Sequence, residues 1–172
     1  MLAFRPETAG PLSDLANALL HAPGTLSPGE RELIAAHVSH LNQCAYCRDT
    51  HAAIALCHLQ NEQLVGGAVR APEDAPISPK LKALLAVAAK VQQGGLAVRP
   101  ENIARAREAG ATDTEIHDTV LIAAAFCMYN RYVDGLGTWT PTDPAGYRER
   151  AALVAAHGYA AALPARRGQE GG

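Results

Sequence analysis

The sequence lacks any run of basic residues and any apolar stretch long enough to cross a bilayer. Its formal net charge is −2, so binding to nucleic acid or to an anionic membrane has no electrostatic support. The longest purely apolar run, residues 120–128, is far shorter than the ~20 residues that a membrane-spanning helix needs. We therefore expect a soluble protein that binds neither nucleic acid nor a membrane.

Cysteine is too scarce for a disulfide scaffold, since the 172 residues include four. The N-terminus also lacks the basic region and the unbroken apolar stretch of a signal peptide, because Pro11, Asp14 and Asn17 interrupt it. We therefore expect a cytoplasmic protein. In that reducing compartment a Cys-x-x-Cys pair is more often catalytic or metal-binding than structural.

Alternating runs of β-branched residues are absent too, while Ala and Leu dominate, which predicts an all-α fold. Hydrophobic residues make up 48% and charged residues 19% of the chain, which indicates a folded protein rather than a disordered one. The length suits one domain, predicted at residues 1–165, with a disordered tail at 166–172. Caps and turn residues predict about seven to eight helices, at 12–21, 28–41, 44–59, 62–69, 79–91, 101–109, 113–134 and 143–163.

Two features of these helices bear on their packing. The middle of the longest one, residues 120–128, is apolar on every side, which predicts a central helix that is buried all round. Ser27-Pro28 and Ser78-Pro79 each open an amphipathic helix, which is consistent with a weak internal duplication. The second copy has Ala83 where the first has Glu32. Ser-Pro is also a common helix start, so both interpretations stay open.

The most informative stretch is residues 32–51, which holds a glutamate, a Cys-x-x-Cys pair and a histidine. Asn42 is a good N-cap and predicts a helix that begins near Cys44. Cys47 follows at i+3 and His51 four residues later, so at roughly 100° per residue the three side chains share one helix face. Two thiols can form and break a disulfide, and an imidazole can move protons near neutral pH.

Several points at this stretch stay open on the residues alone. Glu32 belongs to the preceding helix and reaches the thiols only if tertiary packing brings it there. A thiol at a helix start feels the positive end of the backbone dipole, which favours a thiolate at Cys44. A zinc site is the alternative to a redox pair, but one continuous helix cannot surround a tetrahedral metal. The ligands of that alternative would be Cys44, Cys47, His51 and either Cys57 or His58.

Outside this stretch, two further cysteines and one polar pair draw attention. We expect Cys57 and Cys127 to be buried as small hydrophobic residues. Asn130-Arg131 follows an apolar run and marks either the edge of a pocket or subunit contact, or a helix that emerges into solvent.

Glu32, Cys44, Cys47 and His51 also carry a family resemblance. A Glu, eleven residues, then Cys-x-x-Cys-x-x-x-His resembles the signature of the alkyl hydroperoxidase D (AhpD) family, within the carboxymuconolactone decarboxylase-like superfamily. Residues 31–34 and 42–47 look especially like its peroxidase-related branch. The resemblance implies an AhpD-like helical fold.

The resemblance also implies a chemistry for each of these residues. Cys47 resembles the cysteine that attacks the peroxide and becomes a sulfenic acid. Cys44 resembles the partner that donates a proton and then forms the disulfide, while Glu32 and His51 resemble the proton relay. The implied reductant is a lipoyl-bearing or other dithiol protein, and the implied enzyme uses no metal, haem or flavin. The implied assembly is a homo-oligomer, a trimer or a hexamer.

One residue departs from the best-characterised members, which carry a histidine where this chain has Tyr46. The departure leaves the natural peroxide and the reductant open. Two alternative functions also remain. A carboxymuconolactone decarboxylase needs no Cys-x-x-Cys pair, and a non-enzymatic redox sensor or scaffold would use the same disulfide without turnover.

Overall fold

The chain folds into a packed set of helices. The computed structural model describes residues 4–162, and within them the backbone forms eight α-helices and no β-strand. The all-α class is confirmed. Residues 163–165 of the predicted domain and the predicted tail at 166–172 lie outside the described residues. The helices are α1 Pro6–Leu20, α2 Pro28–Leu41, α3 Ala45–Leu59, α4 Glu62–Arg70, α5 Pro79–Gln93, α6 Pro100–Glu108, α7 Asp113–Gly135 and α8 Ala145–His157, with short 3₁₀ turns at Gly95–Ala97 and Tyr159–Ala162.

Local capping sets the starts of α2 and α7. The Ser27 hydroxyl accepts a hydrogen bond from the Glu30 backbone N–H, and the Glu30 carboxylate accepts one from the Ser27 backbone N–H at 2.8 Å. Thr112 and Glu115 form the same reciprocal box at α7. Each box satisfies backbone donors that the first helical turn leaves unpaired.

Two predicted helix ends and one predicted cap are wrong, each for a local reason. α1 begins at Pro6 rather than at residue 12, because a proline suits the first turn of a helix. Asn42 ends α2 instead of capping α3, because its amide is engaged by side chains of α5 and α7. α8 ends at His157 because Gly158 takes a φ of 76°, a left-handed conformation that stops a helix.

The centre of the core is α2 rather than α7. Leu33, Ile34 and Val38 of α2 are fully buried, and α3, α4, α5 and α7 pack around this helix. Because α2 carries Glu32 and turns directly into α3, the predicted site residues lie at the most enclosed part of the fold.

The longest helix, α7, is buried on one side only. Ile122 and Phe126 face the core, while Leu121 and Met128 are 41% and 44% exposed. The prediction that residues 120–128 are buried all round is therefore wrong, because no helix within residues 4–162 covers the outer side. None of the helices in this part of the chain combines the length and the apolar character that crossing a membrane requires.

Candidate active site

A tight turn between α2 and α3 brings the four predicted site residues together. Glu32 lies on α2, Cys44 is the N-cap residue of α3, and Cys47 and His51 follow in the first two turns. Gln43 adopts a φ of 61°, which residues other than glycine seldom do. The reversal at Gln43 folds α3 back against α2, and these two helices form the most extensive helix–helix contact of the described chain.

Glu32 and His51 form a buried hydrogen-bonded pair. His51 Nδ1 lies 2.7 Å from Glu32 Oε2. A carboxylate can only accept, so Nδ1 carries the proton and Nε2 is the nitrogen that can take up another. Burial opposes the ionisation of Glu32, but the charge of His51 and the hydrogen bonds to the carboxylate outweigh it and lower the pKa of Glu32. Glu32 is therefore ionised at neutral pH.

The second carboxylate oxygen of Glu32, Oε1, contacts two residues that follow other helices. The Tyr159 hydroxyl donates to Glu32 Oε1 at 2.7 Å. His21, just after α1, places Nε2 at 3.3 Å from the same oxygen without hydrogen-bond geometry. Tyr159 follows α8, so both ends of the described chain contribute to the site.

Cys44 and Cys47 are thiols, and their exposed fractions are 0% and 4%. A hydrogen bond from Cys44, the charge of His51 and a hydrogen bond from Asn130 together lower the pKa of Cys47 to about 7, against the opposing effect of burial. The bond to Cys47, together with burial, raises the pKa of Cys44. The thiolate therefore forms at Cys47, although the helix dipole alone favours Cys44.

A chain of side-chain amides links Cys47 to α5 through α7. Asn130 of α7 is buried, and its amide donates to Ser39 Oγ at 3.0 Å. Asn130 accepts from Asn42 at 2.8 Å, and Asn42 accepts from Gln92 of α5 at 2.9 Å. These bonds hold Asn130 beside Cys47, so Asn130 belongs to the site.

Residues from α3 and α7 cover the thiol pair, and a residue of α8 packs behind them. Val133 and Tyr46 pack against Cys44 and Cys47, and the Tyr46 ring centroid lies 6.3 Å from that of Tyr147 on α8. This cover excludes water from the thiols, which strengthens the electrostatic effect of His51 on Cys47.

Three of the residues now placed at the site fall outside the motif. Asn130 is a polar residue shortly after a long apolar run, and that contrast marks it in the sequence. Arg131 beside it is exposed and donates to the Cys127 carbonyl. Tyr159 is the one aromatic residue of an alanine-rich segment after Gly158. No sequence pattern points to His21, because its place beside Glu32 depends on where α1 ends.

The zinc alternative finds no support in the geometry of the described residues. Within residues 4–162, no three His, Cys, Asp or Glu side chains form a group that could hold a metal ion. Cys57 is exposed, whereas Cys44 and Cys47 are buried. The expectation that Cys57 is buried is thus wrong, because it lies on the outer face of α3.

Comparison with known proteins places the chain in a family. The family model described as the carboxymuconolactone decarboxylase family matches residues 6–63 and 60–140. No curated protein matches the sequence significantly.

Solved structures with the same fold include two peroxidase-related proteins. One, from Ralstonia eutropha JMP134, is described as an alkylhydroperoxidase AhpD core and an uncharacterized peroxidase-related protein; it is 28% identical, with a TM-score of 0.78 over 88% of this chain and 78% of that chain. An uncharacterized peroxidase-related protein from Silicibacter sp. TM1040 is 26% identical, with a TM-score of 0.76 over 84% and 74%. A protein of unknown function from Agrobacterium tumefaciens shares the fold at 21% identity, with a TM-score of 0.69 over 83% and 96%. With most of its length matched by the family model and an AhpD-like helical fold, the chain belongs to the carboxymuconolactone decarboxylase family.

Proposed function

We propose that this protein is a thiol-dependent hydroperoxide reductase in which Cys47 attacks the peroxide and Cys44 resolves the oxidised sulfur. One observation carries the proposal: a buried thiol pair lies beside the buried Glu32–His51 pair, and the pKa of Cys47 is lowered to about 7. The thiolate is the reactive form of cysteine, and a pKa near the ambient pH is close to the optimum for attack. The peroxidase-related description of two structural relatives supports the same class.

The first step oxidises Cys47. The thiol proton of Cys47 passes to His51, and the Cys47 thiolate attacks the terminal (hydroxyl) oxygen of the hydroperoxide. An S–O bond forms, the O–O bond breaks, and the alkoxide leaves and takes the proton of Cys44. Cys47 is then a sulfenic acid and the peroxide has become an alcohol.

The second step joins the two sulfurs. The Cys44 thiolate attacks the Cys47 sulfur and releases hydroxide, which takes the proton held on His51 and leaves as water. Two thiols and one hydroperoxide thus become a disulfide, an alcohol and water. Glu32 stabilises the charged imidazole between the two steps, as a buried carboxylate beside a histidine does in other proton transfers.

A second dithiol completes the cycle. A lipoyl-bearing or other dithiol protein attacks the Cys44–Cys47 disulfide, forms a mixed disulfide and resolves it with its own second thiol. The electrons come from this dithiol, so the scheme needs no metal, haem or flavin.

The decisive experiment compares wild type with Cys47→Ser and Cys44→Ser in peroxide consumption with a dithiol reductant. We expect turnover by wild type, none by Cys47→Ser, and a trapped sulfenic acid at Cys47 in Cys44→Ser, read by mass spectrometry after dimedone labelling. Equal peroxide consumption by all three proteins would contradict the proposal.

Membership of the decarboxylase family favours a second candidate, decarboxylation of a carboxylated lactone. That reaction needs no thiol pair, so Cys47→Ser separates the two functions. Lactone turnover that survives Cys47→Ser would favour the decarboxylase. Reversible disulfide formation that consumes peroxide only once per protein, under every dithiol tried, would instead indicate a redox sensor or scaffold.

A further inference from the structure

Tyr159, in the segment that follows α8, contacts both members of the Glu32–His51 pair. Its hydroxyl lies 2.7 Å from Glu32 Oε1 and 3.0 Å from His51 Nδ1. The hydroxyl has one proton, and the carboxylate can only accept, so that proton goes to Glu32. The Tyr159 oxygen then faces the Nδ1–H of His51 as a second acceptor. Both groups of the pair are thus held by one side chain.

The backbone around Tyr159 is built to place that hydroxyl. Gly158 has a φ of 76° and its N–H closes α8 onto the Val154 carbonyl at 2.7 Å. A side-chain carbon at 158 would overlap the Asn17 amide oxygen. The same oxygen accepts a hydrogen bond from the Tyr159 backbone N–H at 3.2 Å. Asn17 of α1 and Gly158 therefore fix the segment that carries Tyr159.

We propose that Tyr159 is a positioning residue for the thiol chemistry: its hydroxyl keeps the Glu32 carboxylate in the orientation that holds Nδ1 of His51 protonated and leaves Nε2 to receive the proton of Cys47. The inference rests on the proposed function, because it assigns Tyr159 a part in the activation of Cys47. Burial, and the carboxylate beside it, raise the pKa of Tyr159 well above its usual range, so the hydroxyl remains a donor at physiological pH.

Other charged groups face the same place and act with Tyr159. The Glu32 carboxylate interacts electrostatically with His51 and His58 of α3, with Arg31 of α2 and with His21 after α1. Tyr159 interacts in the same way with Arg150 of α8 and with Cys47, and Cys47 also faces the charge of Asp134 on α7. Of these, only His51 and Tyr159 make hydrogen bonds of 2.7 Å to the carboxylate. Loss of the hydroxyl leaves Oε1 with the 3.3 Å contact to His21.

Removal of the Tyr159 hydroxyl should raise the pH at which Cys47 ionises. Without this donor the Glu32 carboxylate can turn away from Nδ1, so it stabilises the charged imidazole of His51 less well. The charge on His51 falls, and the thiolate of Cys47 loses part of its stabilisation. In Tyr159→Phe, the pH midpoint of Cys47 ionisation should therefore rise by about half to one pH unit, a shift typical of the loss of one ordinary hydrogen bond.

The test follows the ultraviolet absorbance of the thiolate against pH, with the curve of Cys47→Ser subtracted. We expect a raised midpoint in Tyr159→Phe and no change in Tyr129→Phe. The latter is the matched control, because the Tyr129 hydroxyl donates to the Leu12 carbonyl rather than to the site. In a Glu32→Gln background, Tyr159→Phe should add no further shift, since the hydroxyl acts through the carboxylate.

An unchanged midpoint in Tyr159→Phe, or the same shift with and without the Glu32 charge, would overturn the inference. Gly158→Ala provides a second variant that displaces the hydroxyl without removing it, and it should shift the midpoint in the same direction. The absorbance needs no peroxide, so it still decides the role of Tyr159 if wild type proves unable to turn over peroxide and the proposed function fails.

Discussion

At the scale of single residues, Cys44 and Cys47 show how neighbouring side chains override position in a helix. A helix dipole stabilises an exposed charge near its end by about 0.3–1 kcal/mol. A hydrogen bond to a charged group contributes about 1.5–3 kcal/mol, and Cys47 has two such partners, Cys44 and Asn130, besides the charge of His51. Together these effects exceed the opposing effects of burial and of the Asp134 charge, so the thiolate forms at Cys47 and Cys44 is the donor.

A prediction at this scale concerns Asn130. In Asn130→Ala, Cys47 loses a hydrogen bond that lowers its pKa, and we expect a rise of about one pH unit. A thiol with a pKa of about 7 is half ionised at neutral pH, so the rate of peroxide attack there should fall about fivefold. The difference should vanish at alkaline pH, where both proteins are fully ionised.

Stopped-flow measurement of peroxide reduction across a pH series checks this expectation. Gln92→Ala is the control, because Gln92 lies at the far end of the same amide chain and does not contact the thiol. A constant rate ratio at every pH would mean that Asn130 acts on the structure rather than on the ionisation of Cys47.

At the scale of elements, the site depends on how closely α2 and α3 approach. Gly29 in the first turn of α2 is buried, and a Cβ there would lie 2.7 Å from Leu59 Cγ at the end of α3. The missing side chain lets the two helices pack along their full length. That packing brings Glu32 of α2 within 2.7 Å of His51 on α3.

Gly29→Ala should therefore destabilise the fold, although alanine is the better helix former. The overlap with Leu59 costs about 1–3 kcal/mol, against about 0.5–1 kcal/mol gained in helix propensity. In Gly10→Ala the added Cβ meets no atom within 4 Å, so the same exchange inside α1 should stabilise by about 0.5–1 kcal/mol. Urea unfolding gives both free energies, and equal effects at Gly10 and Gly29 would contradict the close approach of α2 and α3.

At the scale of the whole molecule, the outer side of α7 bears on assembly. Leu121 and Met128 lie on this side, with about two fifths of each side chain exposed. Helices of soluble proteins usually carry polar residues where they face water. The expected homo-oligomer, which rests on the AhpD resemblance, would bury this apolar side between copies of the chain.

We predict that wild type is an oligomer and that Met128→Glu shifts it toward the monomer, because a carboxylate buried in an apolar contact costs several kcal/mol unless it finds a partner. Light scattering coupled to size-exclusion chromatography measures the mass. Leu153→Glu is the matched control, since Leu153 on α8 is exposed to 41%, close to the 44% of Met128. A monomeric wild type, or equal dissociation by Leu153→Glu, would contradict the prediction.

Local patterns sufficed for the helical class, for the caps at Ser27 and Thr112, and for the face shared by Cys47 and His51. Each of these depends on residues within about one or two turns of each other, and short-range geometry decides such features. The resemblance to the AhpD family came from the same local spacing, and the family match together with the AhpD-like structural relatives bears it out. The roles of Cys44, Cys47, His51 and Glu32 in catalysis remain predictions.

Tertiary structure alone decided which helix is central and what surrounds Glu32, and it supplied the physical reason why Cys47 ionises. The choice of Cys47 depends on His51 and on Asn130, a residue of another helix, while the central place of α2 depends on four helices that pack around it. Tyr159 reaches Glu32 across 127 residues of sequence. Spacing along a chain says nothing about such contacts, because burial and charge act through space and the sequence orders residues only along the backbone.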